Sequence, residues 1–405
     1  MYPKVRFRGF DESWRTEKLK NIGESFSGLS GKKSSDFGHG EAKYITYLNI
    51  LNNPIIDTKL TDKIEIDNKQ HLVKKGDIFF TISSETPQEV GLSSVLDTNL
   101  NECYLNSFSF GYRLKEISMF DNLFNSYNFR SPNFRRKMYI LAQGISRYNI
   151  SKKAVLNETI CFPKISEQKQ IGKLIKLMNS LLSLQQRKLE LENKLKKQIA
   201  FYLYSFTLTP NFKHIEVKNK KLGDIVDISN GIMGDSQKKS GNFKLTRIET
   251  ISNGKIDLSR TGYIDQVSDE KKFLEVGDIL YSNINSLTHI GKNAIVKEKH
   301  LPLVHGINLF RLHITNNQIT PNYLHGLLNL PKYKWWVKSH ANPAVNQASI
   351  NKTELSSLVI KYPDLDIQNQ INNINYSFAQ YWDIQYSKKE SLCQLKQFLL
   401  QNLFI

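Results

Sequence analysis

The acidic and basic residues that could perform catalysis stand in arrangements that catalysis does not use. Asp36, Glu41 and Lys43 resemble the two acids and one base of many metal-dependent nucleases. That set works only where paired strands converge on a metal ion. Here the three residues follow a Gly-Ser-Lys loop, which favours a solvated loop without catalytic function.

Sequence motifs for nucleotide binding, methyl transfer and metal binding are incomplete. Asn342–Val345 reads Asn-Pro-Ala-Val, whereas a methyltransferase motif needs a second proline and an aromatic residue, so a turn is the better interpretation. Gly28–Lys33 lacks the spacing of a phosphate-binding loop. The histidines form no metal-binding pair, and Cys103, Cys161 and Cys393 are too far apart for a zinc motif. We therefore predict a non-enzymatic chain that binds no metal or cofactor.

The charge of the chain points to a polyanionic partner. Lysine and arginine number 56 against 38 acidic residues, giving a net charge of +18. So many like charges on a protein surface favour binding to nucleic acid, although a merely soluble basic surface is the alternative. Hydrophobic residues make up 40% of the chain, which is typical of globular proteins.

Basic side chains that stand in loops and helix starts, beside aromatic residues, are candidates for phosphate contacts. A solvated surface is the alternative for each of them. In the first half they are Lys32, Lys33, Arg130, Arg135, Arg136, Lys137 and Arg147, together with Tyr148. In the second half they are Lys238, Lys239, Lys244, Arg247, Lys332, Lys334, Lys338 and His340.

Candidates for reading bases carry paired donors and acceptors, because asparagine and glutamine suit adenine and arginine suits guanine. Polar loops that follow two basic helical segments supply one set: Gln143, Ser146, Arg147, Asn342, Asn346 and Gln347. The ends of two apolar strands supply another: Ser83, Ser84, Asn283 and Asn285. Any polar loop contains such residues, so an ordinary turn is the alternative.

These candidates belong to a pattern that occurs twice. Ile150-Ser151-Lys152, Pro163, Gln168, Gln170 and Ile171 recur 200 positions later as Ile350-Asn351-Lys352, Pro363, Gln368, Gln370 and Ile371. Two earlier features also match: Lys-Leu-x-x-Ile at 18 and 221, and a Gly-Asp turn before an apolar run at Gly76 and Gly277. The apolar run predicts a buried strand in each copy.

The repeat predicts an α/β (α+β) fold with two similar globular domains built on twisted sheets, related by a pseudo-two-fold axis. We place the domains at residues 1–150 and 211–349, and helical spacers at 151–210 and 350–405. Each proline precedes about 40 residues of helical pattern, or about 60 Å, which indicates an antiparallel coiled coil of two long helices.

The coiled-coil seam is predicted from alternating three- and four-residue spacings, and we expect its polar middle to fix the register of the two helices. In the first helix the seam comprises Ile171, Leu174, Met178, Leu181, Gln185, Lys188, Leu195 and Ile199. In the second it comprises Ile371, Ile374, Phe378, Tyr381, Gln385, Lys388, Leu392, Leu395 and Leu399.

On these motifs, and on Phe7-Arg8-Gly9-Phe10 with Trp14, the chain resembles the specificity subunit of Type I restriction–modification systems. The resemblance implies two target recognition domains separated by two helical spacers. It implies no catalysis in this chain. It also implies a bipartite, asymmetric site on double-stranded DNA, two methyltransferase subunits docked on the helices, and motor-nuclease subunits. These partners would hold S-adenosylmethionine, ATP and Mg.

Two other functions are compatible with the sequence. One is a duplicated coiled-coil scaffold that binds protein partners, with an incidental basic charge. The other is a single-chain restriction enzyme with a degenerate nuclease cluster, which the incomplete motifs disfavour. Binding to duplex DNA that weakens steeply with salt would separate recognition from scaffolding. We expect a cytoplasmic protein, since neither a signal peptide nor an apolar run of about 18 residues is found.

Overall fold

The computed structural model describes residues 1–205, 215–235, 238–252, 254–345 and 347–405. The chain divides into two compact units. The first unit combines Met1–Lys188 with Tyr386–Ile405, and the second comprises Leu189–Gln385.

The first unit mixes short strands and helices. Its strands are β1 (Arg15–Lys18), β2 (Gly23–Ser27), β3 (Phe37–Ile45), β4 (Thr61–Ile64), β5 (Ile78–Thr81), β6 (Ser83–Ser84), β7 (Ser93–Val95), β8 (Cys103–Leu105), β9 (Ser109–Leu114), β10 (Tyr148–Asn149) and β11 (Thr159–Phe162). Its helices are α1 (Leu19–Ile22), α2 (Tyr47–Asn52), α3 (Asn122–Asn128), α4 (Pro132–Leu141), α5 (Lys152–Asn157) and the start of α6 (Ile165–Ser205).

The second unit follows the same order. Its strands are β12 (Lys218–Lys221), β13 (Val226–Asn230), β14 (Phe243–Leu245), β15 (Gly262–Ile264), β16 (Ile279–Tyr281), β17 (Ile284–Asn285), β18 (Asn293–Ile295), β19 (Leu303–Val304), β20 (Phe310–Ile314), β21 (Asn342–Pro343), β22 (Ala348–Ser349) and β23 (Val359–Tyr362). Its helices are α7 (Pro321–Leu328), α8 (Pro331–His340), α9 (Lys352–Ser356) and the start of α10 (Leu365–Asn402).

The two units share one sheet topology. An antiparallel sheet of order β2-β9-β5-β7 in the first unit corresponds to β13-β20-β16-β18 in the second. A three-stranded sheet, β4-β3-β8 or β15-β14-β19, adds one parallel pair in each unit. In the pairs β1-β11 and β12-β23, the first strand of each unit pairs with the strand that directly precedes a long helix. The predicted duplication of a mixed α/β domain is therefore confirmed.

The strand after each Gly-Asp turn lies in the middle of its unit's core. Ile78 and Phe80 of β5 pack in one apolar cluster, whereas Phe79 points to another on the opposite face. In β16, Ile279 and Tyr281 occupy one cluster and Leu280 the other. Burial on both faces explains why the sequence there is a continuous apolar run, and the predicted buried strands are confirmed.

The Gly-Asp turn itself anchors the central sheet. Gly76 and Gly277 have φ angles of 93° and 97°, which glycine adopts readily. The buried Asp77 carboxylate accepts two bonds from Arg113 of β9, at 2.7 and 2.6 Å. Arg311 of β20 forms an ion pair with the buried Asp278 carboxylate, with Nε 2.7 Å from a carboxylate oxygen. A charged pair thus ties the turn to the neighbouring strand in each unit.

The Pro-x-x-x-x-Gln motif joins each long helix to its globular part. Gln168 accepts from the backbone N–H of Asp121 at 2.9 Å and donates to the Pro163 carbonyl at 2.8 Å. Gln368 accepts from Thr320 N at 2.8 Å and donates to Pro363 O at 2.9 Å. Both glutamines are completely buried, so their amides satisfy backbone groups that would otherwise lack partners.

Within each unit, segments of α6 and α10 pack antiparallel. In the first unit, Lys389 Nζ donates to the Gln186 side chain. In the second, Asn375 Nδ2 lies 3.2 Å from the Tyr204 hydroxyl, and Lys196 Nζ lies 4.8 Å from the centre of the Trp382 ring. Residue numbers rise on one helix as they fall on the other, which confirms the predicted antiparallel pairing.

Seven of the seventeen predicted seam residues are exposed, so part of the seam was predicted with the wrong phase. Ile171, Met178, Ile371 and Gln385 are buried, and Leu174, Gln185, Ile199, Phe378, Leu392 and Leu399 are half-buried. By contrast, Leu181, Lys188, Leu195, Ile374, Tyr381, Lys388 and Leu395 are exposed. Buried residues outside the predicted set include Ile175, Leu189 and Trp382. Each stands one residue later than a predicted position. From Ile371 onward, the predicted seam positions are spaced by three and then four residues. The observed spacing is four and then three residues, because Trp382 is buried in place of Tyr381.

Two histidines, buried His305 and half-buried His325, predict that mild acid destabilises the second unit. Burial lowers the pKa of His305 and of His325 to about 4. The unfolded chain takes up protons below about pH 6.5, whereas the folded unit resists them, so stability falls as pH drops from 6.5 towards 4. Thermal unfolding across this range should show the loss. Replacing His325 by glutamine should reduce the dependence of the unfolding temperature on pH. Replacing exposed His289 by glutamine should leave this dependence unchanged. A dependence unchanged by His325→Gln would contradict this account.

Candidate nucleic-acid interface

Strand pairing in the first unit brings the two sets of base-reading candidates together. β6, which contains Ser83 and Ser84, pairs with β10, which contains Tyr148 and Asn149. Gln143 extends this small sheet through two backbone bonds with Asn149, of 2.9 and 2.8 Å. The result is a hairpin from 143 to 149 beside the end of a core strand, and its turn carries Ser146 and Arg147 in exposed positions.

Arg147 is held in this hairpin by one edge of its guanidinium. Nε donates to Ser83 Oγ at 2.8 Å, and the guanidinium carbon lies 5.9 Å from the centre of the Phe108 ring. Tyr47 donates to the Ser83 carbonyl at 3.0 Å and steadies that strand end. Among the described residues, no protein acceptor occupies the two Nη groups, which leaves a planar fork of donors on an exposed side chain.

The second unit builds the corresponding hairpin from different side chains. β17 pairs with β22, which pairs with β21, so Asn285 and Asn342 join one small sheet. Gln347 stands 200 positions after Arg147 and is exposed. Asn285 Nδ2 donates to Ser282 Oγ at 3.1 Å, whereas the Asn283 side chain is buried. Asn346, another predicted base reader, lies outside the described residues.

The structure gives Arg130 and Arg135 a role other than phosphate contact. Arg130 donates to the carbonyls of Ser93 and Ile50, both at 2.5 Å, and to those of Leu51 and Asn53, both at 3.1 Å. Arg135 donates to two carbonyls at 2.8 Å, those of Gln88 and Val90. Burial lowers the pKa of each guanidinium to about 10. Both predictions are corrected, since these donors satisfy backbone acceptors inside the unit.

Other predicted phosphate contacts already have protein partners. Lys32 pairs with Asp67 at 2.7 Å, and Lys238 pairs with Asp265. Lys137 Nζ lies 2.6 Å from the Thr159 carbonyl. Arg247 Nη2 donates to the Asp235 carbonyl at 3.3 Å. These cations can reach a phosphate only in competition with groups they already bind.

The remaining candidates differ in exposure. Burial, followed by the nearby lysines, lowers the pKa of half-buried Lys334. His340 stacks on Trp336 with ring centres 4.0 Å apart. Ser84 is buried and bonds to the Glu89 carboxylate. Lys244 and Tyr148 are half-buried, while the exposed cations are Lys33, Arg136, Lys239, Lys332 and Lys338.

Sequence reasoning missed the aromatic support of the hairpin. Phe108 is 55% exposed beside Arg147, and Tyr47 lies 36 positions before the strand end to which it bonds. The signal available for Phe108 was an aromatic residue in a polar turn, directly before the residues that form β9. Nothing in the sequence spacing links Tyr47 to Ser83, because their contact depends on how α2 packs.

Ser83 should act as a positioning residue for Arg147. Ser83→Ala removes the acceptor that fixes Nε, so the arginine must be ordered upon binding. We expect specific DNA binding to weaken about threefold, with nonspecific binding unchanged. Titrations with target and scrambled duplexes would measure both, and Ser151→Ala, at an exposed serine whose side chain makes no helix-cap hydrogen bond, serves as the control. An equal loss on both duplexes would show that Ser83 does not act through base recognition.

The described part of the chain contains neither a metal-binding cluster nor a helix that could span a membrane. No group of three or more histidine, cysteine, aspartate or glutamate side chains is placed to hold a metal ion there. Asp36 of the nuclease-like set accepts from the backbone N–H of Lys33 at 2.6 Å. Across the same residues, no helix has the length and apolar character to cross a membrane. Cys103 and Cys161 are buried, and Cys393 is exposed.

Comparison with known proteins places the geometry in a family. The model of the Type I restriction modification DNA specificity domain matches residues 11–203 and again residues 214–392. The chain belongs to this family. Two copies of the specificity domain thus account for the internal repeat, and the resemblance drawn from the sequence motifs is confirmed.

Curated members of the family include two relatives from Methanocaldococcus jannaschii. The chain is 39% identical over 213 residues to a putative type I restriction enzyme MjaX specificity subunit, a match spanning half of each chain. It is 22% identical to the type I restriction enzyme MjaVIII specificity subunit, over 97% of this chain and 92% of that protein.

Solved structures of the family share the fold along the whole chain. The S subunit of a type I system from M. genitalium aligns with a TM-score of 0.54 at 18% identity, covering 100% of this chain and 99% of its own. The HsdS subunit from Thermoanaerobacter tengcongensis gives 0.56 at 15% identity, with coverage of 97% and 96%. A chain from a structural study of type I R-M complex assembly and conformational transition gives 0.61 at 15%, with coverage of 96% and 97%.

Proposed function

We propose that this chain is the non-catalytic DNA-specificity subunit of a type I restriction–modification complex. Each unit reads one half of a bipartite, asymmetric site on double-stranded DNA. The observation that carries the proposal is the exposed Arg147 guanidinium, whose Nε is fixed by Ser83 while neither Nη group bonds to a protein acceptor among the described residues. Such a fork fits the O6 and N7 acceptors of guanine in the major groove.

Unlike side chains at corresponding places support two unlike half-sites. Arg147 of the first unit is replaced by Gln347 in the second, and Ser83, which pairs with Asn149, is replaced by Ile284, which pairs with Ser349. Arginine suits guanine, whereas glutamine suits the N6 and N7 groups of adenine. Because the sheets around the hairpins have the same topology, the units differ mainly in what the hairpins present.

The long helices supply surfaces for partner subunits. In the first unit, α6 exposes Leu177, Leu181 and Leu184, at spacings of four and three residues. In the second unit it exposes Leu191 and Leu195. An apolar stripe outside a packed helix pair is typical of a protein interface. We propose that methyltransferase subunits bind there, that motor-nuclease subunits join them in the cytoplasm, and that these partners carry S-adenosylmethionine, ATP and Mg.

Detection of methylated bases in the native genome tests the proposal. Cells with the intact gene should methylate a motif with two unlike halves separated by a fixed gap, and deletion of the gene should erase it. The purified complex with its methyltransferase subunits should bind that duplex, with an affinity that falls steeply as salt rises. A genome methylated identically without the gene would contradict the proposal.

A duplicated scaffold for protein partners remains the second candidate, supported by the same exposed leucines. It predicts complexes with partner proteins but no preference among DNA sequences. Binding competition between target and scrambled duplexes separates the two functions, since a scaffold should treat both duplexes alike.

A further inference from the structure

The most exposed large apolar side chains among the described residues lie in the turns of the two hairpins. Ile145 is 96% exposed in the first unit, and Val345 is 99% exposed in the second. The next value in the described residues is 76%, for Met233. The two stand 200 positions apart, at the same place before the strands β10 and β22. Single exposed apolar residues are scattered over any protein surface. Here, however, the two most exposed ones occupy the same place in both copies, which random scatter does not explain.

Tight turns hold both side chains outward. In the first hairpin, Gly144 has φ +147° and approaches the Arg147 carbonyl so closely that an added Cβ would lie 2.0 Å from its oxygen. In the second, Ala344 N donates to Gln347 O at 2.6 Å, and Gln347 N to Ala344 O at 3.3 Å. Isoleucine and valine are branched at Cβ and hold few rotamers, so little conformational entropy is lost when they become buried.

The neighbours of these side chains define what they would meet on DNA. Ile145 stands between Gln143 and Arg147, both exposed and both suited to base edges in the major groove. That groove is about 12 Å wide and admits a two-stranded ribbon. On its floor, the C5 methyl of thymine is the apolar group that a base pair offers. An aliphatic tip without polar atoms gains affinity there only by covering that methyl from water.

Building on the proposed function, we propose that Ile145 and Val345 each bind the C5 methyl of a thymine in the half-site read by their own unit. Each hairpin therefore reads by two kinds of contact. A polar fork or amide selects a purine, and the aliphatic tip requires an A·T pair beside it. The tip discriminates thymine from cytosine, which lacks the methyl group on the same edge.

Replacing each thymine of the native duplex by deoxyuridine, one at a time, tests the contact, since only the methyl group is lost. The complex of this chain with its methyltransferase subunits is titrated with every duplex. In each half-site, one deoxyuridine should weaken wild-type binding about threefold to tenfold. Ile145→Ala should weaken binding to the thymine duplex by a similar factor. It should also abolish the deoxyuridine effect in one half-site while preserving it in the other, and Val345→Ala should do the reverse.

Matched controls exist in each unit. Ile140 is 70% exposed on α4, and Val276 is 62% exposed before β16. Alanine at either position should leave both deoxyuridine effects intact. The inference is overturned if no deoxyuridine weakens binding in a half-site, or if Ile145→Ala keeps the full effect in both. Failure of the proposed function looks different, because wild-type protein would then not distinguish target from scrambled duplex at all.

Discussion

Arg147→Ala should weaken binding to the native target about 10- to 100-fold, while nonspecific binding changes little. The truncated residue loses a bidentate contact to guanine, which contributes about 1–3 kcal/mol of discrimination. Because the arginine lies in the first unit, only one half-site should lose its stringency. Titration with duplexes mutated singly at each base pair would map the relaxed position.

Two comparisons sharpen this experiment. Replacing the contacted guanine by 7-deazaguanine removes the N7 acceptor, so wild-type protein should lose affinity there and Arg147→Ala should not. Arg136→Ala removes an exposed cation of α4, and should weaken binding to all duplexes alike if it touches phosphate at all. A uniform loss for Arg147→Ala would assign this residue to the backbone instead of a base.

Replacing Arg130 by methionine should destabilise the first unit by about 3–5 kcal/mol, enough to unfold much of it. The guanidinium serves three carbonyls at the end of α2, those of Ile50, Leu51 and Asn53. A helix end has carbonyls without intrahelical partners, and a cation there also complements the helix dipole. Methionine keeps the apolar stem of the side chain but removes every donor.

Chemical denaturation with spectroscopic probes in the first unit measures this effect. Arg130→Lys should fall between wild type and Arg130→Met, since an ammonium keeps the charge and some donors. Arg136→Ala should change stability by less than about 0.5 kcal/mol, as expected of an exposed site. Wild-type stability in Arg130→Met would mean that water replaces the guanidinium without loss.

The repeated architecture could be predicted because its motifs are local and each has a backbone function. The Gly-Asp turn needs glycine at positive φ and a buried carboxylate, and the Pro-x-x-x-x-Gln start needs an amide for backbone groups. These requirements recur in both copies at nearly constant spacing. The duplication therefore emerges from one sequence without structural knowledge.

The coiled-coil seam and the roles of Arg130 and Arg135 were harder to predict, because they depend on contacts with residues distant along the chain. The apolar residues of α10 are compatible with two phases of the seam spacing. The burial of Trp382 selects between them, and it is known only from the structure. Arg130 looks like a surface cation until α2, about 80 positions earlier, places its carbonyls beside it. For the candidate site, the sequence supplied both residue sets, but only the pairing of β6 with β10 put Ser83 against Arg147.

The first unit is built from two chain segments, residues 1–188 and 386–405, and this affects when it can fold during translation. Its core includes Leu403 and Phe404, and the Phe404 ring lies 5.6 Å from that of Phe124, which in turn contacts Trp14. Domains generally fold as they leave the ribosome, amino-terminal first. Here the unit that contains residues 1–188 completes its core only after residues 403 and 404 have been translated, which is later than the whole of the second unit. A truncation that removes Leu403 and Phe404 would therefore damage the unit built mainly from residues 1–188.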